Sequence, residues 1–248
     1  MLGPVVLITG AITGIGRATA LAFANEGARL VVCGRHDAAG DALACELRSL
    51  GAEAEFVRAD VRREDDVQSL ISRTIVRFGR LDVAVNNAGT EGQLGPLTEQ
   101  TPETYAATFD TNVLATILCL KHEMRVMLAQ GHGAIVNLSG TLGSRGAAGA
   151  SMYAASKHAV EGLTKCAALE GAAAGVRVNA VAPGPVDTDM LNRFTGTADR
   201  KAAMIAGVPA KRAGRPEEIA QTIVFLASNK AEFLTGQVVA INGGKTAQ

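Results

Sequence analysis

Short β-rich runs alternate with helical patterns from the first residues onward. Residues 5–9 lead into a helix from about Gly14, 30–33 into 38–50, and 55–58 into 65–78; a further run follows at 81–85. Gly27, Gly51 and Gly79 stand where these helices stop, and glycine accepts the left-handed conformation that ends a helix. Strand, helix and strand at this spacing build βαβ units, and therefore a parallel sheet. The second half keeps the rhythm: a long helix at 104–130, a strand at 134–138, a helix at about 152–174 and a strand at 176–181. Residues 183–211 read as irregular with helical patches, Pro216 opens a further helix, and 238–241 is the last strand. No Pro/Gly/Ser-rich linker divides the chain. The expected fold is α/β: one doubly wound domain over residues 1–248, with a central parallel sheet and helices on both faces. Its ligands are expected at the carboxyl ends of the strands.

Composition narrows the function. Hydrophobic residues make up 48% of the 248, enough for a sizeable core. Formal net charge is zero and no block of like charges appears, which argues against a nucleic acid or an anionic membrane surface as partner. No apolar run is long enough to span a bilayer, and the N-terminus does not read as a signal peptide. Cys33, Cys45, Cys119 and Cys166 are widely spaced without a CxxC, so we expect reduced packing residues in a cytoplasmic protein. The four histidines show no metal-ligand spacing, and no metal is expected.

The stretch "TGAITGIG" at residues 9–16 follows the first strand and opens the first helix. Three glycines, Gly10, Gly14 and Gly16, let the backbone turn tightly and approach a pyrophosphate, which the free N–H groups of the helix start then bind. That context makes the domain Rossmann-type and a dinucleotide its expected ligand, although the spacing GxxxGxG differs from the commoner GxGxxG. An acid at the end of the second strand would bind the ribose 2′-OH of NAD. Here Gly34 and Arg35 follow Cys33, and a guanidinium suits a 2′-phosphate. NADP(H) is therefore the expected cofactor, with NAD possible; Asp37 is a rival acid further into the loop.

Four more motifs stand in order behind that loop. "NNAG" occupies residues 86–89, Asn112 lies within "FDTNVLA", "YAASK" occupies 153–157, and "APGPVDTDM" occupies 182–190. With them, nearly the whole chain resembles the short-chain dehydrogenase/reductase family. The resemblance implies that Gly10, Thr13, Gly14, Ile15 and Gly16 line the pyrophosphate, and that Asp60 and Val61 sit beside the adenine. It implies that Asn87, Ala88 and Gly89 contact the ribose and nicotinamide side, with Asn86 helping to hold the sheet. Pro183, Gly184, Val186 and Thr188 would hold the nicotinamide. Asn112, Tyr153 and Lys157 would be catalytic, with Tyr153 and Lys157 also touching the cofactor. Asn112 would anchor a water joining Lys157 to solvent. A homotetramer or homodimer, formed through the two long central helices, is also implied.

The residues support the catalytic pair independently. Tyr153 is one of only two tyrosines, and Lys157 follows on the same helical face. A phenol titrates near 10 and transfers protons poorly at neutral pH. An ammonium about 4 Å away at an effective dielectric of about 20 gives roughly 4 kcal/mol, or about 3 pKa units. The expectation is a phenol brought close to working pH.

One position departs from the family. Its fourth catalytic residue is a serine thirteen before the tyrosine, and here that position is Gly140. Ser139 is the candidate replacement if a bulge swings it inward; Ser151 or a water are others. On a regular strand Ser139 points away. The segment 185–211 reads as a substrate lid, with Met190, Leu191, Phe194 and Met204 as its apolar face. Arg145 and Arg193 are expected near the mouth. The expected substrate is a small uncharged ketone, aldehyde or secondary alcohol. The alternative is a nucleotide-binding or regulatory protein whose catalysis Gly140 has impaired.

Overall fold

The computed structural model describes residues 3–247; Met1, Leu2 and Gln248, which the expected domain includes, lie outside the described residues. Seven strands form one parallel sheet in the order β3-β2-β1-β4-β5-β6-β7. These are β1 (Val5–Ile8), β2 (Arg29–Gly34), β3 (Ala54–Arg58), β4 (Val83–Asn86), β5 (Gly133–Leu138), β6 (Val176–Pro183) and β7 (Val238–Ile241). The connecting helices are α1 (Gly14–Asn25), α2 (Asp37–Ser49), α3 (Glu64–Phe78), α4 (Pro102–Phe109), α5 (Ala115–Gln130), α6 (Ser151–Gly171), α7 (Asp189–Thr195), α8 (Ala198–Ala206) and α9 (Pro216–Ala227). The three helix-closing glycines all take the left-handed conformation, with φ of 74°, 90° and 76°.

Strand alternation divides the core between the two faces. Val6 and Ile8 of β1 point to one side, with Leu30, Val32 and, from α9, Ile219 and Ile223. Leu7 points to the other, with Val31, Ile135 and Met127 of α5. Both faces are covered, so the strands read as near-continuous apolar runs, as parallel sheets do. The chain winds outward from β1 in one direction and from β4 in the other. The carboxyl ends of these two neighbours therefore frame the crevice where a doubly wound sheet binds its ligand.

Two segments differ from the sequence reading. The expected helix at 104–130 begins at Pro102, capped by the Thr101 side chain, and is broken by a π turn at Asp110–Leu114 before α5. Wider turns of this kind gather at functional sites, and this one carries Asn112. Between residues 183 and 211, Pro183 still belongs to β6, and α7 and α8 are regular helices that cap one side of the crevice.

Candidate active site

The crevice holds two adjoining cavities that share Ile15, Asn87, Gly89, Thr188 and Met190. The larger, about 620 Å³, lies over the carboxyl ends of β1, β2 and β4. Gly10, Gly14, Gly34 and Gly89 are among the residues that line it. Gly10 has φ +61°, and a Cβ there would lie 2.8 Å from the Ala88 Cα. Gly16 does not line the cavity; it sits beneath the loop, where a Cβ would run into the Gly10 carbonyl. Thr13 precedes α1 with its side chain making no cap bond, and Thr13, Gly14 and Ile15 at the start of the helix line the cavity. This cradle fits a dinucleotide pyrophosphate.

Asn87 has a part the sequence did not show. Its side-chain amide donates to the Thr9 and Gly10 carbonyls, at 3.1 and 2.8 Å, while its backbone N–H donates to Thr9 Oγ1 at 3.1 Å. It fastens β4 to the glycine loop. At the far end, Arg35 is exposed and lines the cavity together with His36. The rival acid Asp37 faces Arg58 at 3.2 Å. Asp60 also lines the cavity, and Arg62, which the sequence reading missed, grips its carboxylate at 2.9 Å. That hydrogen bond is the main reason the Asp60 carboxyl lies below its usual range.

The smaller cavity, about 380 Å³, contains the catalytic candidates. Tyr153 and Lys157 stand one turn apart on α6, with the ammonium 5.7 Å from the centre of the phenol ring. Lys157 Nζ donates to the Leu138 carbonyl at the end of β5, at 2.8 Å. Asn112 donates to the Thr90 carbonyl and to Ser156 Oγ, both at 2.9 Å, and accepts from the Thr90 N–H at 2.8 Å. Ser156 Oγ donates in turn to the Tyr153 carbonyl at 2.7 Å. The π turn thus locks α6 to the loop after β4. The Asn112 carbonyl accepts the Thr116 hydroxyl at 2.8 Å.

The electrostatics overturn one expectation. Burial, with a smaller contribution from the Glu91 carboxylate, pushes the Tyr153 phenol up to about 12. Burial pushes Lys157 down to about 8. The pairing argument counted only the attraction of the ammonium, whereas desolvation disfavours the charged form of each group. At neutral pH the phenol is a held proton.

The hydroxyl of Ser139, the candidate replacement for the missing serine, is already engaged by another partner. The strand register continues regularly through it, with Ser139 N–H on the Val181 carbonyl at 2.9 Å. Ser139 lines the smaller cavity, and its hydroxyl donates to Glu161 Oε1 at 2.7 Å, both side chains being buried. Gly140 holds the place instead: a Cβ there would lie 3.4 Å from the Tyr153 hydroxyl. Ser151 Oγ is buried without a partner, and Ser151 does not line the cavity.

Met190, Leu191, Phe194 and Met204 line the substrate side, and Phe194 meets Tyr153 edge-on at 5.9 Å. Arg145 lies there as expected, joined by Lys245 from the chain's end, which the sequence reading missed. Arg193 belongs to the larger cavity and pairs with Glu91 at 2.6 Å. Among the described residues no cluster of ligating side chains fits a metal ion, and no helix is long and apolar enough to cross a membrane.

A doubly wound sheet with a dinucleotide cradle at its switch point, and a tyrosine–lysine pair in the adjoining wall, defines a nicotinamide-dependent oxidoreductase. A family model described as enoyl-(acyl carrier protein) reductase matches residues 10–246. The cis-4-hydroxycyclohexanecarboxylate dehydrogenase of Sinomonas cyclohexanicum is 44% identical over 98% of this chain and 96% of its own. The crystal structure of levodione reductase is similar with a TM-score of 0.96 and 36% identity, covering 98% of each chain. That of an actinorhodin polyketide ketoreductase with NADPH gives 0.95 and 34%, over 99% of this chain and 98% of its own. The chain belongs to the short-chain dehydrogenase/reductase family.

Proposed function

We propose that this protein is an NADP(H)-dependent reductase or dehydrogenase acting on a small ketone, aldehyde or secondary alcohol. The observation that carries the reading is the position of Tyr153, a half-buried phenol that lines the smaller cavity beside the dinucleotide cradle. Bound there, the reduced nicotinamide supplies hydride to the carbonyl carbon. Tyr153 gives its proton to the carbonyl oxygen in reduction and takes it back in oxidation. Lys157, held on the Leu138 carbonyl, presents positive charge to the phenolate that forms. Asn112 acts on neither substrate nor cofactor by its side chain; it fixes the pitch of α6 through Ser156. Gly10, Gly14 and the start of α1 hold the pyrophosphate, and Pro183, Gly184, Val186 and Thr188 flank the nicotinamide.

Arg35, with no acid at Gly34 and Asp37 turned to Arg58, supports NADP(H) over NAD(H). The ketoreductase similar to this chain was crystallised with NADPH. Helices α7 and α8 serve as the lid. Leu114, Ile117, Leu128 and Leu169 are exposed on the π turn, α5 and α6, which supports a homodimer or homotetramer. Four free cysteines suit a cytoplasmic setting. Gly140 alone would favour a regulatory protein, but the intact Tyr153–Lys157–Asn112 framework favours the enzyme. The test is NADPH oxidation against a panel of ketones and aldehydes, beside calorimetric NADPH binding. Tight binding with no turnover on any member would overturn the enzyme reading.

A further inference from the structure

Gly140 is not a glycine that its backbone requires. Its φ of 174° and ψ of 171° are extended and open to any residue. Apart from its chain neighbours Ser139 and Thr141, only two atoms come within 4 Å of a Cβ built there, the Tyr153 hydroxyl at 3.4 Å and the Pro183 carbonyl oxygen at 3.8 Å. Both distances are ordinary contacts, so a side chain would fit. What the glycine leaves is open space in the cavity wall, bounded by the proton donor and by a carbonyl acceptor.

Neither flanking side chain supplies a donor to that space. Ser139 Oγ is held by Glu161, and Thr141 Oγ1 donates to the Pro183 carbonyl at 3.0 Å. An ordered water needs two to four polar partners, and this space offers the minimum of two: the Tyr153 hydroxyl, which also serves the reacting oxygen, and the Pro183 carbonyl, whose other lone pair accepts Thr141. A hydroxyl attached to the substrate does not depend on them to be held, since the covalent frame positions it.

We propose that the substrate carries a hydroxyl on the carbon next to the reacting one, and that this hydroxyl fills the space at Gly140 and supplies the missing donor. The substrate class is thus the α-hydroxy ketone, or the vicinal diol in the reverse direction. In reduction the carbonyl carbon accepts the hydride, the C=O π pair moves to oxygen, and that oxygen takes the proton of Tyr153. The neighbouring hydroxyl donates a hydrogen bond to the developing charge and keeps its own proton; the phenolate is reprotonated from solvent. The inference rests on the proposed oxidoreductase activity and adds to it a specificity-determining role for Gly140.

The test compares α-hydroxycyclohexanone, α-fluorocyclohexanone and cyclohexanone with NADPH. The fluoro ketone keeps the electron withdrawal and lacks the donor. The parent protein should favour the hydroxy ketone over the fluoro ketone by about 10²-fold or more in kcat/KM, the typical effect of one such donor. Gly140→Ser should raise the fluoro and plain ketones by at least about 10-fold and bring that ratio near one. Gly140→Ala, which fills the space without a donor, should erase the preference by slowing the hydroxy ketone. A parent that treats hydroxy and fluoro ketones alike, as it would with a water as donor, overturns the proposal; so does a preference that survives Gly140→Ser. Calorimetry on the NADP-loaded protein decides the same point without turnover. The parent should bind the vicinal cyclohexanediol at least about 10-fold tighter than cyclohexanol, and Gly140→Ser should not. Equal affinities in the parent overturn the proposal. If that preference is present but no ketone is reduced, the diol site stands and the oxidoreductase reading fails.

Discussion

Ser139 Oγ and Glu161 Oε1 lie 2.7 Å apart in the buried layer between the end of β5 and α6. The bond makes Ser139 a structural residue. Ser139→Ala leaves a buried carboxylate oxygen without its donor, which costs about 1–3 kcal/mol. The expected result in urea denaturation is a loss of that size, with kcat/KM within about threefold of the parent. A fall of about 10²-fold or more, the loss expected for a donor at the substrate oxygen, would restore Ser139 to catalysis.

We expect Arg35 to set cofactor choice. Arg35→Ala should weaken NADPH binding by at least about 10-fold, since a charge-assisted hydrogen bond to phosphate contributes about 1.5–3 kcal/mol. NADH binding should change little. Fluorescence titration of both cofactors against parent and variant measures the difference. Equal losses for the two would show that Arg35 supports the loop rather than the 2′-phosphate.

Tyr153→Phe removes the proton and keeps the ring against Phe194. Turnover should fall by about 10² or more, the lower range for a general acid. NADPH affinity, read by calorimetry, should stay within about twofold, since the phenol's task is to the substrate oxygen. Near-full activity would remove the phenol from the mechanism.

How much of this was readable beforehand differs from residue to residue. The succession of strands and helices and the parallel sheet follow from the βαβ rhythm and its helix-closing glycines, which are local signals. Counting thirteen back from Tyr153 finds Gly140, and strand alternation alone sends Ser139 the other way. The π turn at Asp110–Leu114 was not readable, because "DTNVL" suits an ordinary helix and the widened turn answers to Thr90 and Ser156, distant in sequence. The direction of the Tyr153 shift was also out of reach. Spacing gives the partner, Lys157, but burial is decided by the packing of the whole crevice. Lys245 and Arg62 reach their cavities through the fold, with no motif around them.

Glu123 is another product of packing. It is fully buried on α5, where one carboxylate oxygen accepts the Asn86 amide at 2.9 Å and the other has no partner. Burial raises its carboxyl from the ordinary 4.5 to about 7. Between these values the folded protein keeps a proton that the unfolded chain has lost, so this group's contribution to stability falls as pH rises through the window. The full loss is about 3 kcal/mol. Glu123→Gln stays neutral and should gain on the parent as pH rises from about 5 to about 8 in denaturant titrations. A constant difference between the two would show that Glu123 is ionised throughout.

Lys157 gives the pH dependence of the reaction itself. With the phenol near 12, Tyr153 keeps its proton across the working range, the state that carbonyl reduction requires. What changes is the neighbour, since Lys157 loses its charge as pH rises through about 8. Below that value an ammonium faces the phenolate left by proton transfer; above it a neutral amine does, and the product of the transfer is less stable. Reduction, measured as kcat/KM so that it reports the free enzyme, should be flat below about pH 8 and fall above it. Oxidation has the opposite need, a phenol ready to accept a proton, and should rise toward alkaline pH. Lys157→Met removes the titrating group while keeping an unbranched chain in place. It should lower reduction throughout and flatten the alkaline limb. If the variant keeps the parent's fall above about pH 8, another group titrates there and Lys157 does not set the rate.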